Sequence, residues 1–175
     1  MIEIRNLSKR YGDSTVIDDV SLNLAEAGVT AIIGPNGAGK STLLGMISRL
    51  QSIDAGTVHI DGLDITNTPS MTLARKLAIL RQENQISTRL RVIDLVTFGR
   101  YPYCKGRPGP DDLAQVQRAL AFLNLEDLAQ RFLDTLSGGQ RQRAYIAMVL
   151  CQDTDYVLLD EPLNNLDMKH AVDIM

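Results

Sequence analysis

Residues 29 to 42, V-T-A-I-I-G-P-N-G-A-G-K-S-T, decide how the rest of the chain is read. The apolar run Val29 to Ile33 predicts a strand, the glycines a loop, and the residues after Lys40 a helix. The loop fits the pattern G-x-x-x-x-G-K-[ST]. Gly34, Gly39, Lys40 and Ser41 hold the fixed positions, with Pro35, Asn36, Gly37 and Ala38 between them. Gly34, Gly37 and Gly39 admit backbone conformations and close approaches that a side chain would block. The loop N–H groups then turn inward as a nest for phosphate oxygens. Ser41 and Thr42 open a helix whose positive end favours the same charge. Lys40 brings a full positive charge to the terminal phosphates. The Ser41 hydroxyl suits Mg²⁺, which prefers few protein oxygens beside phosphate and water. A nucleotide-binding loop is the expectation.

Outward from this loop, the pattern is that of a mixed α/β domain. Upstream, Ile2 and Ile4 alternate with Glu3 and Arg5, as in a half-buried strand. Tyr11-Gly12-Asp13-Ser14 is a turn, and Val20, Leu22 and Leu24 share one face of a second strand that Gly28 ends. Downstream, Leu43, Leu44, Ile47 and Leu50 recur at helical spacing. Thr57 to Ile60 reads as a strand, Asp61-Gly62 as a turn, Leu73 to Leu77 as helical and Leu77 to Leu80 as a strand. Residues 101 to 110, Y-P-Y-C-K-G-R-P-G-P, carry three prolines and two glycines and read as a surface loop. A helix then starts at Pro110, with a carboxylate of Asp111-Asp112 suited to the N-cap and Leu113, Val116, Leu120 and Leu123 on one face. A further helix is expected from about Gly139 to Gln152, followed by a buried strand at Tyr156 to Leu159. Parallel strands joined by helices around a phosphate loop make an α/β core, and the antiparallel N-terminal strands make it mixed.

At 175 residues the chain suits one domain with a proper core. A net charge of −3 excludes the basic excess of a general nucleic-acid binder, although Arg141 and Arg143 lie close together, so no nucleic-acid partner is expected. Cys104 and Cys151 have neither metal-ligand spacing nor the number for a disulfide framework, and are expected as free structural thiols. The first ten residues lack the apolar centre of a signal peptide. No run reaches the roughly 18 apolar residues of a membrane span, so membrane association is expected only through a partner.

Two later stretches sharpen the reading. Y-V-L-L-D-E at 156 to 161 puts Asp160 at the carboxyl end of a strand, the end where ligands bind in open α/β sheets. Asp160 is thereby a candidate for the Mg²⁺ beside Ser41, and Glu161 lies one residue on, where an attacking water would be. The other stretch is Leu136-Ser137-Gly138-Gly139-Gln140. Ser137 suits an N-cap, and the glycines bare the first N–H groups of the following helix, a second anion-binding helix start.

Taken in this order, Gly34 to Thr42, Leu136 to Gln140 and Tyr156 to Glu161 resemble the Walker A, signature and Walker B motifs of the nucleotide-binding domain of ABC transporters. The resemblance spans nearly the whole chain. It implies a P-loop NTPase core with a parallel sheet, an N-terminal antiparallel β-subdomain and a helical subdomain that carries the signature motif. Residues 1–175 would form one ABC-type ATP-binding domain, with the helical subdomain at approximately 86–152. By the same resemblance Tyr11 falls where the family places an aromatic against adenine. Gln82 falls at the Q-loop glutamine that contacts Mg²⁺ or water, and Asn165-Leu166-Asp167 falls at the D-loop.

The resemblance further implies a head-to-tail dimer with a second copy. ATP on the Walker motifs of one copy is closed over by Ser137, Gly138, Gly139 and Gln140 of the other. Catalysis would then use Glu161, Lys40 and Gln82, and Mg²⁺ would be held at Ser41, Gln82 and Asp160. F-G-R-Y-P-Y at 98 to 103 and the phrases around the signature and Asp160 look most like importers of ferric siderophores, haem and vitamin B12. The expected function is an ATP-hydrolysing subunit at the cytoplasmic face of the cell membrane, peripheral through permease subunits and meeting a substrate-binding protein only indirectly. A region near Gln82 and Phe98 to Tyr103 would receive a permease helix. The family's switch histidine lies a few dozen residues beyond the glutamate, whereas His170 is too close to Glu161 and His59 lies far upstream. The chain is therefore expected to be incomplete at its C-terminus, and a non-hydrolysing nucleotide-binding and dimerising module stands as the alternative.

Overall fold

Alternating apolar residues build an antiparallel sheet from the first strands. In the computed structural model, which describes residues 1–25, 28–82 and 89–161, β1 (Ile2–Tyr11) buries Ile2, Ile4 and Leu7 and exposes Arg5. It pairs with β2 (Ser14–Leu24) on one side, Tyr11 opposite Ser14 across the Gly12-Asp13 turn. On its other side lies β3 (Ala55–Ile60), which pairs in turn with β4 (Leu63–Asp64), giving the order β2-β1-β3-β4. Helix α1 (Lys40–Ile47) follows the glycine loop and buries Leu43, Met46 and Ile47, and a short helix, α2 (Ser70–Leu73), comes next. These elements make one compact unit, Met1–Leu77, and a second unit begins at Ala78.

The second unit is mainly helical. Its core gathers Val92, Leu95 and Val96 of α3 (Val92–Phe98) and Val116 and Leu120 of α5 (Pro110–Phe122). Ala144, Ile146, Ala147 and Val149 of α6 (Gly138–Cys151) complete it. The C-terminal end of α3 touches α6 so closely that a methyl group on Gly99 would lie 2.3 Å from the Met148 carbonyl oxygen. Strands β5 (Leu77–Leu80) and β6 (Tyr156–Leu159) form a two-stranded sheet. The Asp160 N–H donates to the Leu80 carbonyl at 2.9 Å, so both strands end at the same edge and run parallel.

Several expectations need correction. Val29 to Ile33 is no strand: Val29 is 85% and Ile33 93% exposed, and no described residue offers them a ladder. An apolar run becomes a strand only where a neighbour accepts and donates its backbone hydrogen bonds. Residues 101 to 110 are not all loop, because Tyr101–Cys104 forms a helical turn, α4, with Pro102 buried in its first turn. Proline suits that position, where its missing N–H has no helical partner to lose. Leu113 faces out from α5, and Leu50 lies beyond the end of α1 and is exposed. The cap of α5 also differs. Gly109 holds the N-cap, and Asp112, three residues on, reaches back to accept from the Gly109 N–H at 3.0 Å. Strand β6 is buried only at Leu158, with Val157 and Leu159 part-exposed. Pro162, Asn165 to Asp167 and His170 lie outside the described residues.

Cys104 and Cys151 are free thiols, as expected, and burial pushes the Cys151 thiol up to about 11. Among the described residues no helix is long and apolar enough to cross a membrane.

Candidate functional site

The glycine loop is shaped by what surrounds its last residue. Gly39 caps α1 in the left-handed conformation, φ +88°, and a methyl group there would lie 2.8 Å from Ile17 Cδ1 and 3.0 Å from the Val16 carbonyl oxygen. Only glycine meets both conditions, since left-handed backbone disfavours a Cβ and β2 leaves no room for one. Gly37 is also left-handed, φ +81°, but faces open space. Gly34 needs neither excuse: a Cβ there would make an ordinary 3.4 Å contact with Ala38. The loop is stitched by the Ala38 N–H to the Pro35 carbonyl at 3.2 Å, and the Leu43 N–H to the Gly39 carbonyl at 2.8 Å starts the helix.

Lys40 curls over this loop. Its ammonium donates to the carbonyls of Gly34 and Pro35, both at 2.9 Å, which fixes the charge at the loop's centre. Pro35, Asn36, Ala38 and Ser41 are exposed around it, while Lys40 itself is half-buried. A positive charge, a nest of backbone donors and the start of α1 thus converge on one stretch, an arrangement that holds phosphate.

In the same unit Tyr11 ends β1 at the tip of the hairpin. Its hydroxyl donates to Gln51 Oε1 at 2.7 Å, and the Lys9 ammonium lies 5.5 Å from its ring centre. Lys9 is itself buried and donates to Asp54 Oδ1 at 2.7 Å and Ser52 Oγ at 2.9 Å. The other Asp54 oxygen accepts the Arg10 N–H at 2.8 Å. Lys9 first, and then the Arg10 N–H, hold the Asp54 carboxyl below its usual range. Sequence reading singled out Tyr11 and missed Gln51, Lys9 and Asp54. Gln51 sits in no motif, and only the fold brings it back to Tyr11.

In the second unit the edge where β5 and β6 end brings two expected residues together. Gln82 follows β5 and Glu161 follows β6. The Gln82 amide donates to Glu161 Oε2 at 2.7 Å, although 79 positions separate them. Asp160 is fixed at the same edge by its N–H to Leu80. Glu161 carries φ +50°, an uncommon conformation for a residue with a side chain.

Ser137 caps α6, as expected. Its hydroxyl oxygen accepts the Gln140 N–H at 3.3 Å, and Gln140 Oε1 accepts the Ser137 N–H at 3.0 Å. This reciprocal box gives Gln140 a local reason that sequence reading had not seen. Gly138, exposed, and Gly139, half-buried, form the first turn, where N–H groups have no helical carbonyl to bond.

An ion pair organises the segment after α3. Arg100 is buried, and its Nε donates to Asp112 Oδ1 at 3.0 Å and its Nη1 to the Cys151 carbonyl at 3.1 Å. Its guanidinium also lies 4.0 Å from the Tyr103 ring centre. The Gly109 N–H first, then Arg100, hold the Asp112 carboxyl below its usual range. Phe98 and Tyr101 remain exposed beside this anchor.

Comparison with known proteins agrees with this geometry. Residues 17–164 match the family model described as ABC transporter. The petrobactin import ATP-binding protein YclP of Bacillus subtilis (strain 168) is 54% identical over 175 residues, 100% of this chain and 69% of the relative. The ferric enterobactin transport ATP-binding protein FepC of Escherichia coli (strain K12) is 42% identical over 171 residues, 97% of this chain and 63% of the relative. Among solved structures, the dimeric structure of MJ0796, a bacterial ABC transporter cassette, aligns with a TM-score of 0.88 and 30% identity. It covers 99% of this chain and 79% of that one. A post-hydrolysis dimer of the same cassette, bound to ADP and Pi, aligns with a TM-score of 0.88 at 28% identity, covering 99% of this chain and 79% of that one. The α/β cassette fold expected from the motifs is the one found. With its phosphate loop, its capped signature helix and its strand-end acids all inside the matched region, this chain belongs to the ABC transporter family.

Proposed function

We propose that this chain is the ATP-binding and hydrolysing subunit that powers an importer of ferric siderophores. Its relatives are, by name, ATP-binding proteins for petrobactin import and ferric enterobactin transport, which supports that cargo class. The cargo itself stays with the permease, and the ATPase sees only nucleotide. The observation that carries the hydrolytic reading is the 2.7 Å bond between Gln82 and Glu161 at the strand edge. It puts a carboxylate that can take a proton beside an amide that can orient a water. Nothing favours the alternative of a module that binds without hydrolysing.

In this reading residues 1–175 act as one ATP-binding domain with a helical subdomain at approximately 86–152. Lys40 and the N–H groups of Gly34 to Thr42 bind the phosphates, and Tyr11 stacks against adenine. Glu161 accepts a proton from the attacking water while Gln82 fixes the carboxylate's direction. The described residues include no cluster of three or more His, Cys, Asp or Glu that would hold a metal alone. Mg²⁺ would be held by the Ser41 hydroxyl, the Asp160 carboxylate, the Gln82 amide and substrate phosphates, since it takes few protein oxygens beside phosphate and water. When bound, Mg²⁺ neutralises charge that develops on the transferred phosphoryl group.

A second copy, placed head to tail, contributes Ser137, Gly138, Gly139 and Gln140 to the same nucleotide. The dimer sits on permease subunits at the cytoplasmic face of the membrane, with Phe98 and Tyr101 offered to a permease helix and a substrate-binding protein reached only through the permease. Mg²⁺-dependent ATP turnover of this chain, with Glu161→Gln as control, tests the reading. The expected result is intact ATP binding in the variant with turnover down by about 10²-fold or more. Equal turnover in both proteins would remove Glu161 from the mechanism.

A further inference from the structure

We propose that Gln51 is a positioning residue for nucleotide recognition: it fixes the Tyr11 ring at the base end of the site. The proposal rests on the reading of Tyr11 as the aromatic that stacks on adenine. Gln51 accepts the Tyr11 hydroxyl at 2.7 Å and is itself tied to the phosphate-binding helix. Its N–H donates to the Gly45 carbonyl, within α1, at 3.0 Å. Its side chain lies against Gly45 so closely that a methyl group there would come within 3.1 Å of Gln51 Cγ and Cδ. The absence of a side chain at position 45 is what lets Gln51 lie across the helix.

The hairpin that carries Tyr11 also touches the loop. Gly39 abuts Ile17 and Val16 of β2, and Ile17 pairs with Lys9 of β1. Tyr11 lies two residues beyond Lys9, which is about 7 Å along the strand. Phosphate loop and aromatic ring are therefore ends of one scaffold, joined once through β2 and once through Gln51. Lys9, held by Asp54 and Ser52, stands on one side of the ring. Tyr11 is nonetheless 47% exposed, so ring surface remains for a base. A ring whose rotation is already restrained gives up less freedom when a base stacks on it.

The test compares ATP with inorganic tripolyphosphate, which has no base, by calorimetric titration of the full chain. Gln51→Leu removes the acceptor at nearly the same volume, and Tyr11→Phe removes the donor but keeps the ring. Each is expected to weaken ATP binding about five-fold, the scale of one hydrogen bond. The double variant is expected to lose no more than either single one, and tripolyphosphate affinity should be unchanged in all. Gln51→Glu retains an acceptor and should restore ATP binding. Equal loss for ATP and tripolyphosphate, or additive losses in the double variant, would overturn the role given to Gln51. So would unchanged ATP affinity in Gln51→Leu while Tyr11→Ala weakens ATP alone. Should Tyr11→Ala bind ATP as the unaltered chain does, it is the stacking role of Tyr11 that fails. Thermal melting of each variant shows whether the fold has survived.

Discussion

A methyl group on Gly39 would have to enter the space of Ile17 Cδ1 at 2.8 Å while its backbone stayed at φ +88°. The left-handed conformation alone costs about 1–2 kcal/mol for a residue with a side chain. Gly39→Ala is therefore expected to lower stability by at least that amount and to weaken nucleotide binding, read by urea denaturation and titration with ATP. Gly37→Ala shares the backbone cost and escapes the clash, so it should be the milder of the two. The motif told us that position 39 is glycine and could not tell us that β2 is the reason. Asp112 gives a second test at this scale. Its folded carboxyl titrates lower than normal, so its contribution is complete above the unfolded value of about 3.9 and is lost as pH falls through the folded one. Asp54, Asp64 and Asp94 are shifted the same way, so the contribution must be read as a difference. Stability curves of the unaltered chain and Asp112→Asn should converge as pH falls below about 4. Curves that stay parallel there would show that Asp112 contributes nothing to acid stability.

Helix α6 combines a cap and a proposed ligand at one terminus, and the two can be separated. Ser137→Ala removes the cap acceptor and should cost about 1 kcal/mol of stability. Ser137→Asp keeps an acceptor, and so the cap, but puts a negative charge where a γ-phosphate is to bind. Its melting temperature should match that of the unaltered chain while its ATP turnover collapses; preserved turnover would mean that the helix start is a cap and nothing more. At the other end of the helical core, Gly99→Ala forces a methyl group to 2.3 Å from the Met148 carbonyl and 3.2 Å from Cys151 Cβ. Overpacking of this kind costs about 1–3 kcal/mol, measurable by chemical denaturation. Elements with their own periodicity or cap, such as β1, α6 and most of α5, were legible because the signal is local. Val29 to Ile33 was not, because an apolar run acquires a ladder only from neighbours that pattern alone does not name. The turn at Tyr101–Cys104 was hidden for the opposite reason. Its proline reads as a breaker, yet it sits at the one place in a helix where proline is welcome.

For the molecule as a whole, the proposed dimer makes turnover a matter of concentration. Specific activity should rise with protein concentration and then level off, and a strictly linear total rate from the most dilute sample upward would speak for a site complete in one copy. The residues that meet at the strand edge, Gln82 and Glu161, were singled out separately by motif. Their contact was invisible until the fold joined positions 79 apart. The reciprocal bonds between Ser137 and Gln140 carry a consequence for such an assembly. Each side chain has turned an acceptor inward, Ser137 Oγ toward the Gln140 N–H and Gln140 Oε1 toward the Ser137 N–H. What this terminus has left to show a neighbour is mainly donors, a hydroxyl proton, an amide NH₂ and the N–H groups of Gly138 and Gly139, beside one spare lone pair on each oxygen. The cap thus biases polarity: each of the two oxygens commits one of its two lone pairs to the terminus itself, which weights what remains toward protons. Such a surface gains little from another protein's N–H groups and most from a ligand that is all oxygen and negative charge.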